Sequence, residues 1–158
     1  MASIETTDTK NGPVLLAYDG CGMARFAIKQ AGQQLAPGRD AIVLTVWQPA
    51  DVGFLPVTDR RFDAADAADV KEAAEETAAH GASLAEQAGF RAQPLTIEGA
   101  PTWKGIVHVA EEHGASLIVL GSHRRTGIRG RLLGSVAGAV VSHADDISVL
   151  VVHRQQEA

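Results

Sequence analysis

Residues 121–138 read GSHRRTGIRGRLLGSVAG and follow directly on the apolar run SLIVL. They hold five glycines, four arginines and two serines. Arg124, Arg125, Arg129 and Arg131 cluster here in a chain of net charge −5, and no Asp or Glu occurs from Ser116 to Ala144. A cationic stretch confined to one place points to an anionic ligand bound at that place. The other residue types fit a phosphate. Gly121 lets the backbone turn at the end of the apolar run, and Gly127 and Gly130 permit positive φ and close backbone approach. Gly134-Ser135 opens the next helical pattern, where amides lack intrahelical partners and lie at the positive end of the helix dipole. Ser135 can cap that helix or offer its hydroxyl to a phosphate oxygen. The same residues also read as a solvated basic loop with a capped helix behind it.

The second stretch that could do chemistry is AYDGCGM, residues 17–23. A carboxylate at Asp19 could accept hydrogen bonds from a ribose hydroxyl or an adenine amino group. It could equally form an Asx turn that starts a helix near Cys21 or Gly22, and the spacing favours the turn. Cys21 stands near a helix N-terminus, which can lower a thiol pKa. No partner base is visible, so it reads as a small residue rather than a nucleophile. Trp103 could stack on a base, but packing is the better reading.

Other chemistries lack their patterns. There is no G-x-x-x-x-G-K-[ST], and no G-x-G-x-x-G follows the first apolar run. The six histidines, at 80, 108, 113, 123, 143 and 153, form no H-x-x-x-H pair, and the single cysteine forms no C-x-x-C. A protein-held metal site is not expected, beyond a Mg²⁺ carried by a phosphate ligand. Ser135 lies in L-G-S-V-A-G, which is not a nucleophile elbow.

Five apolar runs must position these residues: PVLLAY (13–18), AIVLTVW (41–47), QPLTI (93–97), SLIVLG (116–121) and ISVLVV (147–152). Most are continuous, as for strands buried on both faces. Helical patterns separate them. Residues 23–36 carry a stripe of Phe26, Ala27, Gln30, Ala31 and Leu35. Residues 64–88 place Val70, Ala74, Thr77, Ala78, Gly81, Leu84 and Ala88 near one face. Their acidic side, Asp66, Asp69, Glu72, Glu75, Glu76 and Glu86, reads as a solvated face. Residues 101–113 and 135–144 complete four helices. Strand and helix alternate, so the expected fold is a doubly wound parallel α/β sheet with helices on both faces. One domain is expected over residues 12–153, with 1–11 and 154–158 as flexible tails. Residues 48–63 form a long connection.

Hydrophobic residues make up 46% of the chain and aromatics 4%, so the core is aliphatic. The acidic balance argues against a general nucleic-acid surface. No apolar run approaches the roughly 20 residues that span a bilayer. A single cysteine and a polar N-terminus fit a cytoplasmic protein. In an open α/β sheet a ligand binds beyond the strand carboxyl ends, where the strand order reverses. If the first and fourth strands are neighbours, Asp19 and the Gly121 stretch line one crevice.

From about residue 13 to 153 the chain resembles the universal stress proteins. The resemblance rests on VLLAYDG, LTVW, EGAP and the block AEEHGASLIVLGSHRRTGIRGRLLGSVAGAVVSHADDISVLVV. The last block is the most specific. It implies a Rossmann-like, adenine nucleotide alpha hydrolase-like sheet of five strands in the order 3-2-1-4-5. The nucleotide-binding pattern of that family, G-x₂-G-x₉-G-[ST], maps onto Gly121, position 124, Gly134 and Ser135. Position 124 is Arg, and Gly127 does not restore the nine-residue spacing. Cys21 stands where the family often has Ser. The resemblance implies that Asp19 and Val46 lie near adenine and ribose. It implies that Gly121, Arg124, Gly134 and Ser135 surround the phosphates of ATP, with or without Mg²⁺; Gly20, Gly127, Arg131 and Val136 are further candidate nucleotide-binding residues. It also implies a homodimer through the last strand, at Ile147, Val149 and Val151. The expected function is a nucleotide-binding, non-catalytic stress or regulatory protein. The alternative is a relative that has lost ATP, with Arg124 filling the phosphate space and the basic loop docking a protein partner. A slow ATPase, or an adenylating or nucleotide-hydrolysing enzyme, would need a catalytic set that the sequence does not display.

Overall fold

Leu15 and Leu16 are wholly buried on opposite faces of one strand, which a sheet covered on both sides requires. The computed structural model describes residues 12–48, 64–122 and 134–154. Its elements are β1 (Val14–Ala17), α1 (Gly22–Gln34), β2 (Asp40–Trp47), α2 (Ala64–Gln87) and β3 (Arg91–Glu98), then α3 (Thr102–Glu112), β4 (Leu117–Ser122), α4 (Ser135–His143) and β5 (Ser148–His153). The five strands form one parallel sheet in the order β3-β2-β1-β4-β5, as the resemblance implied. The expected tail 1–11, all but Arg154 of the expected tail 154–158, and all but Gln48 of the expected connection 48–63 lie outside the described residues.

Side chains along the central strands divide by parity. Val14, Leu16, Val43 and Val119 pack with α1 and the second half of α2. Leu15, Leu44, Ile118 and Leu120 pack with α3 and α4. Each fully buried aliphatic side chain stabilises by about 1.5–3 kcal/mol, so these two apolar layers dominate the fold. The edges differ. Along β3 only part of the strand is covered, and Arg91, Gln93, Pro94 and Glu98 are exposed. The QPLTI run therefore lies at an edge and is not buried on both faces as its continuity suggested. An exposed ion pair, Arg91 Nε to Asp40 Oδ1 at 2.9 Å, joins β3 to β2. At the other edge Val149, Leu150 and Val151 of β5 are half-buried.

Helix α2 buries Val70, Ala74, Ala78, Ala82 and Ala85, at steps of three and four. Its Asp69, Glu72, Glu75, Glu76 and Glu86 are exposed, which confirms the solvated-face reading for those residues. Gly81 sets how close α2 comes to the sheet. A Cβ there would lie 2.5 Å from Cδ1 of Tyr18 and 2.8 Å from Cγ1 of Val43. Tyr18 cannot swing aside freely, because it is 3% exposed and its hydroxyl lies 2.9 Å from Nδ1 of His80. Arg154, expected to begin a frayed tail, packs its guanidinium over Phe26 of α1 at 5.4 Å from the ring centre. No described helix is long and apolar enough to cross a membrane.

Gly81→Ala gains about 1 kcal/mol of helix propensity, but overpacking a tight contact costs about 1–3 kcal/mol. The expected outcome is a net loss of stability, read as a lower midpoint in chemical denaturation. A stabilised variant would contradict the close-packing account.

Candidate functional site

The chain leaves β1 and β4 in opposite directions. After β1 it passes to α1, on the face that holds Val14 and Leu16. After β4 it passes to α4, on the face that holds Leu15 and Ile118. These strands are neighbours, with Leu16 paired to Val119, so the winding of the sheet reverses between them, and an open α/β sheet forms its crevice at such a place on the carboxyl rim.

One wall is the β1–α1 turn. The backbone N–H of Tyr18 donates to the Leu44 carbonyl at 2.9 Å, and the Thr45 hydroxyl donates to the Tyr18 carbonyl at 2.8 Å. Gly20 follows at φ +84°, a left-handed conformation that suits glycine. The amide of Cys21 donates to Asp19 Oδ1 at 3.0 Å, which closes an Asx turn. Cys21 is the N-cap of α1, and its Sγ accepts from the Ala24 amide at 3.4 Å. The turn reading of Asp19 is therefore realised, and it still leaves the carboxylate exposed on the rim.

Two influences compete at the Cys21 thiol. Burial, together with the carboxylate of Asp19, pushes its pKa up, while the amides of Ala24 and Met23 pull it down. Burial and Asp19 win. The lowering suggested by a helix N-terminus does not occur, and Cys21 is not an activated nucleophile.

The other wall is the end of β4 and the start of α4. Gly121 lies within β4, paired with Val152, and does not make the turn expected of it. It is small for a different reason. A Cβ would lie 2.9 Å from the carbonyl oxygen of Met23, so Gly121 lets the first turn of α1 rest on β4. Ser122 is 3% exposed, and its Oγ accepts from the Gly134 amide at 3.2 Å. Gly134 is the N-cap of α4 and, having no side chain, gives the helix amides no cap hydrogen bond. Ser135 is thus the first helical residue, not the cap, and stands exposed beside the exposed Val136. The first helical bond runs from the Gly138 amide to the Gly134 carbonyl at 2.8 Å. The amides of residues 135–137 therefore have no helical acceptor, and no acidic residue lies in the first turn.

Val46 is half-buried on β2, under the β3–α3 turn, within contact reach of Gly99 and Gly105. Trp103 stacks on His143 of α4, with ring centres 4.2 Å apart, so the packing reading holds. Arg124, Gly127 and Arg131 lie outside the described residues. Among the described residues no group of His, Cys, Asp and Glu could hold a metal ion. The rim at this strand pair thus carries a carboxylate on the β1 side and a helix N-terminus on the β4 side. Reasoning from the sequence missed Thr45 and Ser122. Their signal was a hydroxyl residue set inside or at the end of an apolar run.

Comparison with known proteins bears on this geometry. The sequence pattern of the universal stress protein family matches residues 10–153. A universal stress protein of Mycobacterium bovis is 31% identical over 156 residues, which cover 93% of this chain and 47% of that protein. The chain spans about half the length of such curated relatives. A solved structure of the Methanocaldococcus jannaschii protein MJ0577 shares the fold, with TM-score 0.69, 24% identity and coverage of 93% of this chain and 99% of that one. A universal stress protein solved in complex with cAMP superposes with TM-score 0.62 at 25% identity, over 90% of this chain and 97% of that one.

The elevated thiol pKa has a measurable consequence. Iodoacetamide should modify Cys21 of the native protein more slowly at neutral pH than the same cysteine of the unfolded chain, and the rate should rise only at a higher pH than for a free thiol. Faster alkylation of the native protein would reverse the order of the two influences.

Proposed function

The chain belongs to the universal stress protein family, and we propose that it binds an adenine nucleotide, ATP above all, in the crevice between β1 and β4. One observation carries this reading: the strand pair at which the connections part has a rim carboxylate on one side and an acid-free helix N-terminus on the other. The cAMP complex of a relative supports the ligand class. In this reading Asp19 and Val46 meet ribose and adenine, and Gly20 shapes the turn beside them. The amides from Gly134 to Val136 receive the phosphates. Arg124 and Arg131 supply counter-charge, a Mg²⁺ rides on the phosphates, and no side chain serves as general base. The role is regulatory. The protein pairs with a second copy across β5, whose half-buried Val149 and Val151, with Ile147 just before them, stand at a sheet edge.

Arg124 favours a second reading, since it replaces the glycine that would let the backbone lie against the phosphates. The nucleotide space is then filled, and the basic stretch meets an acidic protein surface.

Thermal unfolding with and without millimolar Mg-ATP separates the two. A ligand at a hundred times its Kd adds about 2.7 kcal/mol, which raises the midpoint by several degrees. The first reading expects that shift with ATP and its loss in Gly134→Asp, which places bulk and negative charge at the helix N-terminus. The second expects no shift with any nucleotide, and a shift gained in Arg124→Gly. Undiminished ATP binding by folded Gly134→Asp would remove the phosphate assignment.

A further inference from the structure

Thr45 and Ser122, at 1% and 3% exposure, are the two buried polar side chains outside the aromatic residues among those described. Neither sits at random in the aliphatic core. Each lies near the carboxyl end of its strand, and each holds one wall of the crevice. We propose that they are positioning residues for the nucleotide site, Thr45 for its nucleoside end and Ser122 for its phosphate end. The proposal rests on the nucleotide reading above.

A buried hydroxyl is unfavourable unless hydrogen-bonded, and an aliphatic residue would serve packing alone at either position. Both hydroxyls are spent on backbone atoms of the rim. Thr45 donates to the Tyr18 carbonyl at 2.8 Å. Tyr18 immediately precedes Asp19, and β1 has already ended at Ala17, so no strand pairing holds that carbonyl. The bond fixes the direction in which the chain enters the Asx turn and thereby aims the Asp19 carboxylate. Ser122 accepts from the Gly134 amide at 3.2 Å, across a span of twelve residues. It pins the N-cap of α4 to the end of β4 and so fixes the direction of the amides that follow. Neither hydroxyl is spent on contact between core layers.

The two walls make the proposal separable with two ligands, ATP and adenosine, titrated by calorimetry. Thr45→Val keeps shape and β-branching and removes one hydrogen bond. It should weaken adenosine and ATP by the same factor, roughly fivefold to tenfold, since a net hydrogen bond contributes about that much. Thr45→Ser should restore both affinities. Ser122→Ala should weaken ATP by a similar factor and leave adenosine unchanged. A purely structural role would not split the two ligands in this way. Native-like binding of both ligands by folded Thr45→Val and Ser122→Ala would overturn the proposal, as would equal loss of both ligands in Ser122→Ala. If the wild-type protein binds neither ligand, the nucleotide reading fails, and amide exchange then decides the positioning claim. Faster exchange at Gly134 in Ser122→Ala and at Cys21 in Thr45→Val supports it; unchanged protection at both ends it.

Discussion

The pairing of β1 with β4 is the constraint on which the rest of this structure depends. Both strands are short, buried and parallel, and every other element is placed by the direction in which the chain leaves them. Right-handed crossovers send α1 to one face as the chain steps to β2, and α4 to the other as it steps to β5. Two consequences follow from one topology. Each face of the central strands acquires an apolar cover, and the winding of the sheet reverses between β1 and β4.

The layers close tightly because the residues at the contacts are small. Alanines supply most of the buried face of α2, and Gly81 and Gly121 stand where a single methyl would collide with Tyr18 or with the backbone of Met23. Close approach of α1 to β4 brings the Asp19 turn and the start of α4 to the same rim. A bulkier interface would push the helix outward and widen the crevice. The packing of α1 on β4 thus bears on the spacing between the Asp19 turn and the start of α4.

Much of this was legible in the amino-acid sequence. Continuous aliphatic runs alternating with helical stripes are a strong signal, and the parallel sheet followed from them. The Asx turn at Asp19 was legible too, because it depends only on neighbours in the chain. What escaped depended on partners far away. The QPLTI run gives no sign that it will lie at an edge, since edge or centre is decided by the order of the strands. Gly121 looks like a turn residue until Met23 is placed above it. Ser135 looks like a helix cap until the backbone at Gly134 takes that position. The thiol of Cys21 illustrates the balance of forces: the helix terminus was visible, but the burial that outweighs it was not.

The two edges of the sheet are not equivalent. β3 carries charged and polar residues along its exposed length and a proline, which has no N–H to give to a neighbouring strand. β5 is half-covered and aliphatic, with no residue of that kind between Ser148 and His153. The devices that blunt an edge against strand addition are thus confined, among the described strands, to β3, and the two ends of the sheet differ in how freely a further strand could be added.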